Sequence, residues 1–309
     1  MTRSEFLRLA FAASMTPALS RAATKEGDFP SKKLVLIAGP PSHPHMIHEF
    51  RAGTILLEER LRSVPGLVVD RHEMGWVTDE ATFADADAVV CFSDGNRRHP
   101  VLAGKGRLKT MERLVGQGVG FGCMHFAVEV PKQTAGQQFR DWIGGCYEHK
   151  WSCNPIWDAR FDAFPEHPIT RGIKPFSIKD EWYFNMRFAK GFDASGPSEI
   201  DGVLFTPVLV TIPDNETRDG PYVHPRGPYP HIQEAKGRKE AVMWAIERPD
   251  GGRGFGFTGG HFHINWQNEN FRKIILNALC WVSKVEVPVS GVDSAPVSDQ
   301  EISRNLDNK

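Results

Sequence analysis

The chain of 309 residues carries 37 Lys and Arg against 38 Asp and Glu, a formal net charge of −1, and 40% of its residues are hydrophobic. This composition is that of an ordinary globular protein and lacks the basic excess that attracts phosphate backbones. Nucleic acid is therefore not an expected partner. No apolar run approaches the roughly 20 residues of a membrane-spanning helix, so no integral membrane segment is expected after signal removal.

The first residues have the pattern of a targeting segment. Residues 1–5 are polar and charged, the stretch from Phe6 to Leu19 is mostly apolar, and small residues up to Ala23 suit a cleavage site. This pattern predicts an export signal over 1–23 and a linker over 24–31, which would make the mature protein periplasmic or secreted. The alternative is a helical or disordered N-terminus of a cytoplasmic protein.

From residue 32 onward, apolar runs alternate with segments of helical periodicity. Strands are predicted over 33–38, 67–69, 88–92 and 119–123, with helices over 48–63 and 105–117 between them. This alternation is typical of a doubly wound, mostly parallel sheet, in which the carboxyl ends of the strands lie at one edge. The loops over 39–48, 93–99 and 124–131 are therefore expected to share one rim.

The second half of the chain is less regular. Residues 146–233 are rich in Trp, Pro and Gly, with only short strand-like pieces such as 203–205 and 208–210, which predicts a large loop-rich insertion and not a second core. A hairpin is predicted over 241–246 and 254–258, followed by an amphipathic helix over 270–284. We expect one α/β domain over 32–287 and a mobile tail over 288–309.

The five cysteines are too few, and odd in number, for a disulfide framework. Cys91 and Cys280 lie in apolar runs and are expected in the core. Cys146 and Cys153 could pair in an oxidising compartment. Cys123 lies at the end of a predicted strand, where packing is expected to bury it and leave it dispensable for activity.

Histidines follow three of the predicted strands. His43, His45 and His48 follow the first strand, His125 follows the strand ending at 123, and His261 follows the strand ending at 258. Imidazole is both a common metal ligand and the usual acid or base near neutral pH. Each histidine taken alone is most simply a hydrogen-bonded loop residue. Their position on one rim of an open α/β sheet instead predicts a functional site.

A second dense segment covers residues 180–183, with the sequence Asp-Glu-Trp-Tyr. Because side chains alternate along an extended segment, Glu181 and Tyr183 share a face. Glu181 and His125 could act as an acid–base pair, or they could be two ligands of one metal ion. A surface ion pair between one of the carboxylates and an arginine such as Arg187 is the structural alternative.

Several motifs in a fixed order resemble one known family. The motifs are HPHMIHE at 43–49, GVGFGCMH at 118–125, HPITRGI at 167–173 followed by DEWY at 180–183, GGH at 259–261 and NALCW at 277–281. Together they resemble the ThuA-like (trehalose utilisation) family over about residues 33–284. The resemblance implies a flavodoxin-like, class I glutamine amidotransferase-like fold. It also implies a role in the breakdown of trehalose and related glycosides, often beside oxidoreductases that make 3-keto sugars.

The same comparison argues against a cysteine nucleophile. Amidotransferases of this fold carry their cysteine in a Gly-x-Cys-x-Gly elbow, whereas here Cys123 follows Gly122 directly and His125 stands where the second glycine would be. The ThuA-like pattern has a histidine at this elbow. The resemblance therefore implies that His125, and not Cys123, is presented to the rim.

The predicted function is that of an enzyme, a hydrolase, lyase or isomerase, acting on a glycoside or 3-keto sugar. The predicted catalytic residues are His125, Glu181, Tyr183 and His261. The sequence specifies no cofactor but leaves a divalent metal open, with His125, Glu181 and His261 as candidate ligands. A sugar oxidoreductase of the same pathway is a further expected partner. A non-catalytic sugar-binding or accessory module is the alternative.

Residues that bind the sugar are predicted on the rim and in the insertion. Aromatic rings suit the apolar faces of pyranoses, although Trp is equally a core residue. The predicted substrate-binding residues are His43, His45, Arg97, His149, Trp151 and Trp182.

Overall fold

Short apolar runs form the strands of a central eight-stranded sheet in the computed structural model, which describes residues 31–307. The predicted export signal over 1–23, and the linker up to residue 30, lie outside the described residues. The strands are β1 (Lys32–Ala38), β2 (Leu67–His72), β3 (Ala88–Phe92), β4 (Gly120–Met124), β5 (Gly145–Cys146), β6 (Trp157–Phe161), β7 (Phe176–Asp180), β8 (Arg187–Phe188), β9 (Ser198–Ile200), β10 (Val203–Thr211), β11 (Glu240–Glu247) and β12 (Arg253–Phe257). The helices are α1 (Phe50–Leu61), α2 (Arg107–Gly116), α3 (Lys132–Ile143), α4 (Asn215–Asp219), α5 (Pro230–Gln233), α6 (Glu269–Val282) and α7 (Asp299–Ile302).

The sheet has the order β2-β1-β3-β4-β12-β11-β10-β9. The first five strands are parallel, and the last three continue antiparallel. Alternate residues of β1 point to opposite faces: Leu34 and Leu36 pack in the cluster that includes α1 and α6, whereas Val35 and Ile37 pack in the cluster that includes α2 and α3. Helices therefore cover both faces, and the prediction of a doubly wound, mostly parallel α/β fold is confirmed.

Strand β10 differs from its prediction. The pieces expected at 203–205 and 208–210 are one strand, whose pairing with β11 shifts register between Pro207 and Leu209. Proline lacks the backbone N–H that a regular ladder needs. This interruption of the pairing explains why the sequence pattern looks broken although the strand is continuous.

Residues of the insertion share the main core. Trp157, Phe161 and Trp182 belong to the same hydrophobic cluster as α6, so the insertion has no separate core among the described residues. The chain after residue 287, predicted as a mobile tail, instead packs on the domain as far as residue 307. Val292 and Ile302 are only 3% and 2% exposed. Widely spaced single side chains anchor this segment, so its sequence shows no periodic apolar stripe.

Two further expectations concern disulfide pairing of the cysteines and membrane-spanning helices. All five cysteines are free and buried. Cys146 and Cys153 lie in different hydrophobic clusters, which explains why they do not pair. No helix within residues 31–307 combines the length and apolar character needed to cross a membrane.

Candidate functional site

The loop after β1 and the loop after β12 are joined at the carboxyl edge of the sheet. Ile47 and Phe262 form an antiparallel bridge, and the His48 backbone N–H donates to the His261 carbonyl oxygen at 3.0 Å. Because both loops leave strands at the same edge, this pairing sets the rings of His48 and His261 side by side, with centroids 4.9 Å apart.

His125 follows β4 directly and occupies a strained elbow. Its φ of 55°, like the φ of 50° at His48, is in the left-handed region that non-glycine residues rarely adopt. The Nδ1 atom of His125 lies 2.8 Å from the Thr258 carbonyl oxygen. A carbonyl only accepts, so Nδ1 carries a proton and the Nε2 atom of the ring faces the site.

Four buried side chains converge at this edge and form the histidine–glutamate cluster: His48, His125, Glu181 and His261. His48 Nε2 lies 3.0 Å from His125 Nε2 and 3.0 Å from His261 Nδ1. Glu181 Oε2 lies 2.8 Å from His261 Nδ1 and 3.4 Å from His125 Nε2. The four side chains belong to residues that are at most 6% exposed. Such a concentration of nitrogen and oxygen donors is able to hold a metal ion.

The two carboxylates of the 180–183 segment have different roles. Asp180 accepts the backbone N–H groups of Gly260 at 2.8 Å and His261 at 3.0 Å, and so fixes the loop after β12. Glu181 points into the cluster, while its Oε1 accepts a hydrogen bond from Asn154 Nδ2 at 2.9 Å. Burial acts to raise the pKa of Glu181, but hydrogen bonds from two cluster histidines outweigh it and leave this pKa below the usual value.

Tyr183 lies beside the cluster, on the face that it shares with Glu181. Its hydroxyl oxygen is 3.3 Å from His125 Nε2 and 3.5 Å from Glu181 Oε2. Burial raises the pKa of Tyr183 well above its usual value. The phenol therefore keeps its proton near neutral pH and is available as a hydrogen-bond donor.

A cavity of about 450 Å³ opens above the cluster. Three cluster residues and Tyr183 line it, and its walls include the polar residues Asp94, Asn96, Arg97, Glu129, His149 and Asn154. The size is within the range of about 300–1,000 Å³ typical of small-molecule sites. Converging hydrogen-bonding groups of this kind suit a ligand rich in hydroxyl groups.

Glu129 is a buried carboxyl group in the cavity wall, 9% exposed. Its Oε1 accepts a hydrogen bond from Asn96 Nδ2 at 2.9 Å, and its backbone carbonyl oxygen accepts the Asn96 N–H at 2.7 Å. Burial raises the pKa of Glu129 to about 7. This carboxyl group is thus poised to gain or lose a proton near neutral pH.

Three predicted substrate-binding residues line the cavity: His43, Arg97 and His149. The His43 ring stacks on that of His48, with centroids 3.7 Å apart. Arg97 and His149 are exposed at the mouth of the cavity. The predicted catalytic residues His125, Glu181, Tyr183 and His261 lie together in the contacts described above.

The other three predicted substrate-binding residues do not line this cavity. His45 is exposed and does not line the cavity, because the loop after β1 turns His48 inward instead. The faces of the Trp151 ring contact other side chains: the Arg187 guanidinium lies 3.5 Å from the ring centroid, and the His231 ring stacks on it. Trp182 is fully buried in the core, since it points away from the face that carries Glu181.

Three residues of the site were missed as candidates: His48, Asp94 and Glu129. His48 was one of three histidines after the first strand, and only the loop conformation distinguishes it from its neighbours. Asp94 follows β3 at the carboxyl edge, which is a usable signal, and its Oδ1 lies 3.7 Å from His48 Nδ1. Glu129 lies four residues after His125, beyond a 3₁₀ turn that the sequence pattern did not reveal.

Cys123 is buried as predicted, at 0% exposure. Its Sγ lies 3.8 Å from His99 Nε2. Burial lowers the pKa of His99 to about 3 and raises the pKa of Cys123 well above its usual value. A neutral imidazole beside a protonated thiol does not form a reactive thiolate near neutral pH.

An open, mostly parallel α/β sheet with a polar cavity and a buried histidine–glutamate cluster at its carboxyl edge defines the class of this protein. The model of the ThuA family, described as trehalose utilisation, matches residues 46–282, and the chain belongs to this family.

Two solved structures are similar in fold. A ThuA-like protein from Bacteroides uniformis has a TM-score of 0.55 at 14% identity, with 84% of this chain and 94% of that chain covered. A ThuA-like protein from Parabacteroides merdae has a TM-score of 0.56 at 15% identity, with 89% of this chain and 100% of that chain covered. No curated protein matches the chain.

Proposed function

We propose that this protein is an enzyme that processes a carbohydrate, a glycoside or 3-keto sugar, in the cavity above the histidine–glutamate cluster. The observation that carries the proposal is the cavity itself, which combines a polar wall with a floor of buried imidazole and carboxylate groups. Membership of a family described as trehalose utilisation supports a sugar as the ligand.

The cavity offers the groups that chemistry at a keto sugar needs. A carbonyl at C3 makes the proton on C2 acidic, and a base that removes it leaves an enolate. If the C1–O bond of the glycoside then breaks, the departing oxygen must receive a proton. Glu129 and Tyr183 are two proton-transferring groups of the cavity lining, and Glu181, His48 and His261 line the same space.

The position of the proposed enzyme in a reaction sequence follows from its substrate. A 3-keto glycoside arises by oxidation of a sugar hydroxyl group, so a sugar oxidoreductase must act first. The predicted export signal would place the reaction outside the cytoplasm.

The test uses trehalose and its 3-keto derivative as probes, with products followed by NMR. Glu181→Gln removes the carboxyl group in the cluster without changing the size of the side chain, and Glu129→Gln does the same in the cavity wall. Loss of a general acid or base typically lowers turnover by about 10²–10⁴-fold. The matched control is Glu166→Gln, because Glu166 is exposed and does not line the cavity.

Turnover by the wild type and the control, with the expected loss in both cavity variants, supports the proposal. Unchanged turnover in both cavity variants shows that the reaction takes place elsewhere. Tight binding of either probe without any turnover overturns the proposal in favour of a sugar-binding module.

A further inference from the structure

We infer that the histidine–glutamate cluster is the binding site of one divalent transition-metal ion. The inference deepens the proposed function, and the role of the ion in catalysis rests on that function. It adds His48 to the candidate ligands that the sequence indicates. Three independent features of the cluster support a metal site: the spacing of the four donor atoms, the arrangement of their protons, and the groups that orient them.

The spacing of the donor atoms fits a small ion. Ligands at about 2.0–2.1 Å from a tetrahedral zinc ion lie about 3.3–3.4 Å from one another. The four separations around the cluster are 3.0, 3.0, 2.8 and 3.4 Å. Each of these four separations is within about 0.6 Å of that spacing, and all four donor atoms lie within 4.8 Å of one another, so the donors are close enough to share one ion.

Protons alone do not make all of these contacts favourable. Thr258 holds one proton of His125 on Nδ1, so in the neutral form of the ring the lone pair of His125 Nε2 faces the Glu181 carboxylate at 3.4 Å. His48 Nε2 is equally close to two other ring nitrogens, and one N–H group points at only one of them. A cation placed between the donors makes every one of these contacts attractive.

Outer groups hold three of the donors in position, as is usual around metal ligands. Thr258 accepts from His125 Nδ1 at 2.8 Å, and Asn154 donates to Glu181 Oε1 at 2.9 Å. The Asp94 carboxylate lies 3.7 Å from His48 Nδ1, on the side of the ring away from the cluster. These contacts direct His125 Nε2, Glu181 Oε2 and His48 Nε2 to one point.

The donor set selects the class of metal. Three imidazoles and one carboxylate suit zinc, iron, nickel or copper, whereas magnesium and calcium prefer oxygen donors throughout. His48, Glu181 and His261 line the cavity, so a bound ion would be reached from it. The ion would supply Lewis-acid polarisation of a sugar carbonyl oxygen.

The experiment measures metal directly and needs no substrate. The chain is stripped with a chelator and dialysed against Zn²⁺ or Co²⁺; bound metal is then measured by elemental analysis, affinity by calorimetry, and coordination by the visible spectrum of Co²⁺. The variants are His48→Asn and His125→Asn, because asparagine tolerates a positive φ, and the isosteric Glu181→Gln. His45→Ala is the matched control in the same loop as His48, and circular dichroism checks folding.

One equivalent of metal in the wild type and the control is expected. The ligand variants should lose more affinity than the roughly 10–100-fold typical of an outer-group substitution, for which Asp94→Asn serves as the comparison. Less than a tenth of an equivalent in the wild type overturns the inference. A folded His48→Asn variant that binds the metal as tightly as the His45→Ala control also overturns the inference.

The outcomes separate this inference from the proposed function. Turnover of the keto sugar by protein that binds less than a tenth of an equivalent of metal leaves the function standing and removes the metal site. Stoichiometric metal without turnover of either sugar leaves the metal site standing and removes the function.

Discussion

Replacing Glu129 with glutamine should make the protein more stable at alkaline pH. Burial raises the pKa of this carboxyl group from its ordinary 4.5 to about 7. A difference of about 2.5 in pKa corresponds to about 3 kcal/mol between the two protonation states. Because the side chain is 9% exposed, solvent screening reduces this figure little.

The pH dependence has a definite direction. Below pH 4.5 the carboxyl group is protonated in both the folded and the unfolded chain and costs nothing. Between pH 4.5 and 7 the unfolded chain has lost the proton and the folded chain has not, so the free energy of unfolding falls as pH rises. Above pH 7 the folded protein holds a buried carboxylate, and the cost is constant. The glutamine variant lacks this cost, while its amide oxygen can still accept from Asn96.

The assay is urea unfolding of the wild type and Glu129→Gln at pH 5 and pH 8, with chelator present so that metal does not bind. The stability gained by the variant should grow by about 2–3 kcal/mol between the two pH values. The exposed Glu166→Gln gives the baseline for a surface replacement. Growth below about 0.5 kcal/mol, within the usual non-additivity of distant sites, would show that Glu129 is not held protonated, and would remove it as an acid or base near neutral pH.

Three further predictions concern the frame around the site. Cys123→Ala should keep turnover within about twofold, and folded wild type at pH 8 should resist iodoacetamide at Cys123, because its thiol is buried; rapid alkylation with loss of activity contradicts this. Gly95→Ala should unfold at a temperature several degrees lower, since its Cβ would lie 2.0 Å from a backbone oxygen, whereas Gly116→Ala, with no atom within 4 Å, should change stability by less than about 1 kcal/mol; equal melting temperatures refute the clash. Glu240→Gln should cost about 3–5 kcal/mol in urea, because it breaks the 2.9 Å ion pair of the fully buried Arg218; a loss below 1 kcal/mol refutes it.

The sheet was predictable because its strands are short apolar runs. The inner strands β3 and β4 are buried along their whole length and β1 from Leu34 onward, so their sequences carry no charged residue there, and the intervening helices have a different period. Topology also places the carboxyl ends of such strands at one edge, so His125 and His261 could be assigned to one rim from the sequence alone.

The positions of side chains within the loops could not be predicted in the same way. Three residues of the loop after β1, His43, Met46 and His48, have positive φ. A chain that enters the left-handed region changes direction at each such residue, so the sequence does not tell which histidine turns inward. For this reason the sequence did not show that His48, and not His45, lines the cavity.

The position of Trp182 could have been predicted from the sequence. The alternation that placed Glu181 and Tyr183 on one face also directs Trp182 to the other. The structure has this arrangement, with Trp182 in edge-to-face contact with Phe257 and Phe271. An aromatic residue between two candidate site residues of an extended segment is thus better assigned to the core.

The cluster is costly to assemble, and that cost bears on what it binds. His48 and His125 have positive φ, and non-glycine residues in this region cost about 1–3 kcal/mol each. Burial of a carboxylate costs more unless charge or hydrogen bonds compensate it. An ion bound only by the folded chain adds RT ln(1 + [L]/Kd), about 2.7 kcal/mol when its free concentration is 100 times Kd. That gain is comparable to the strain of one or two of these histidines, so metal binding would offset a large part of the cost of holding the four donors together.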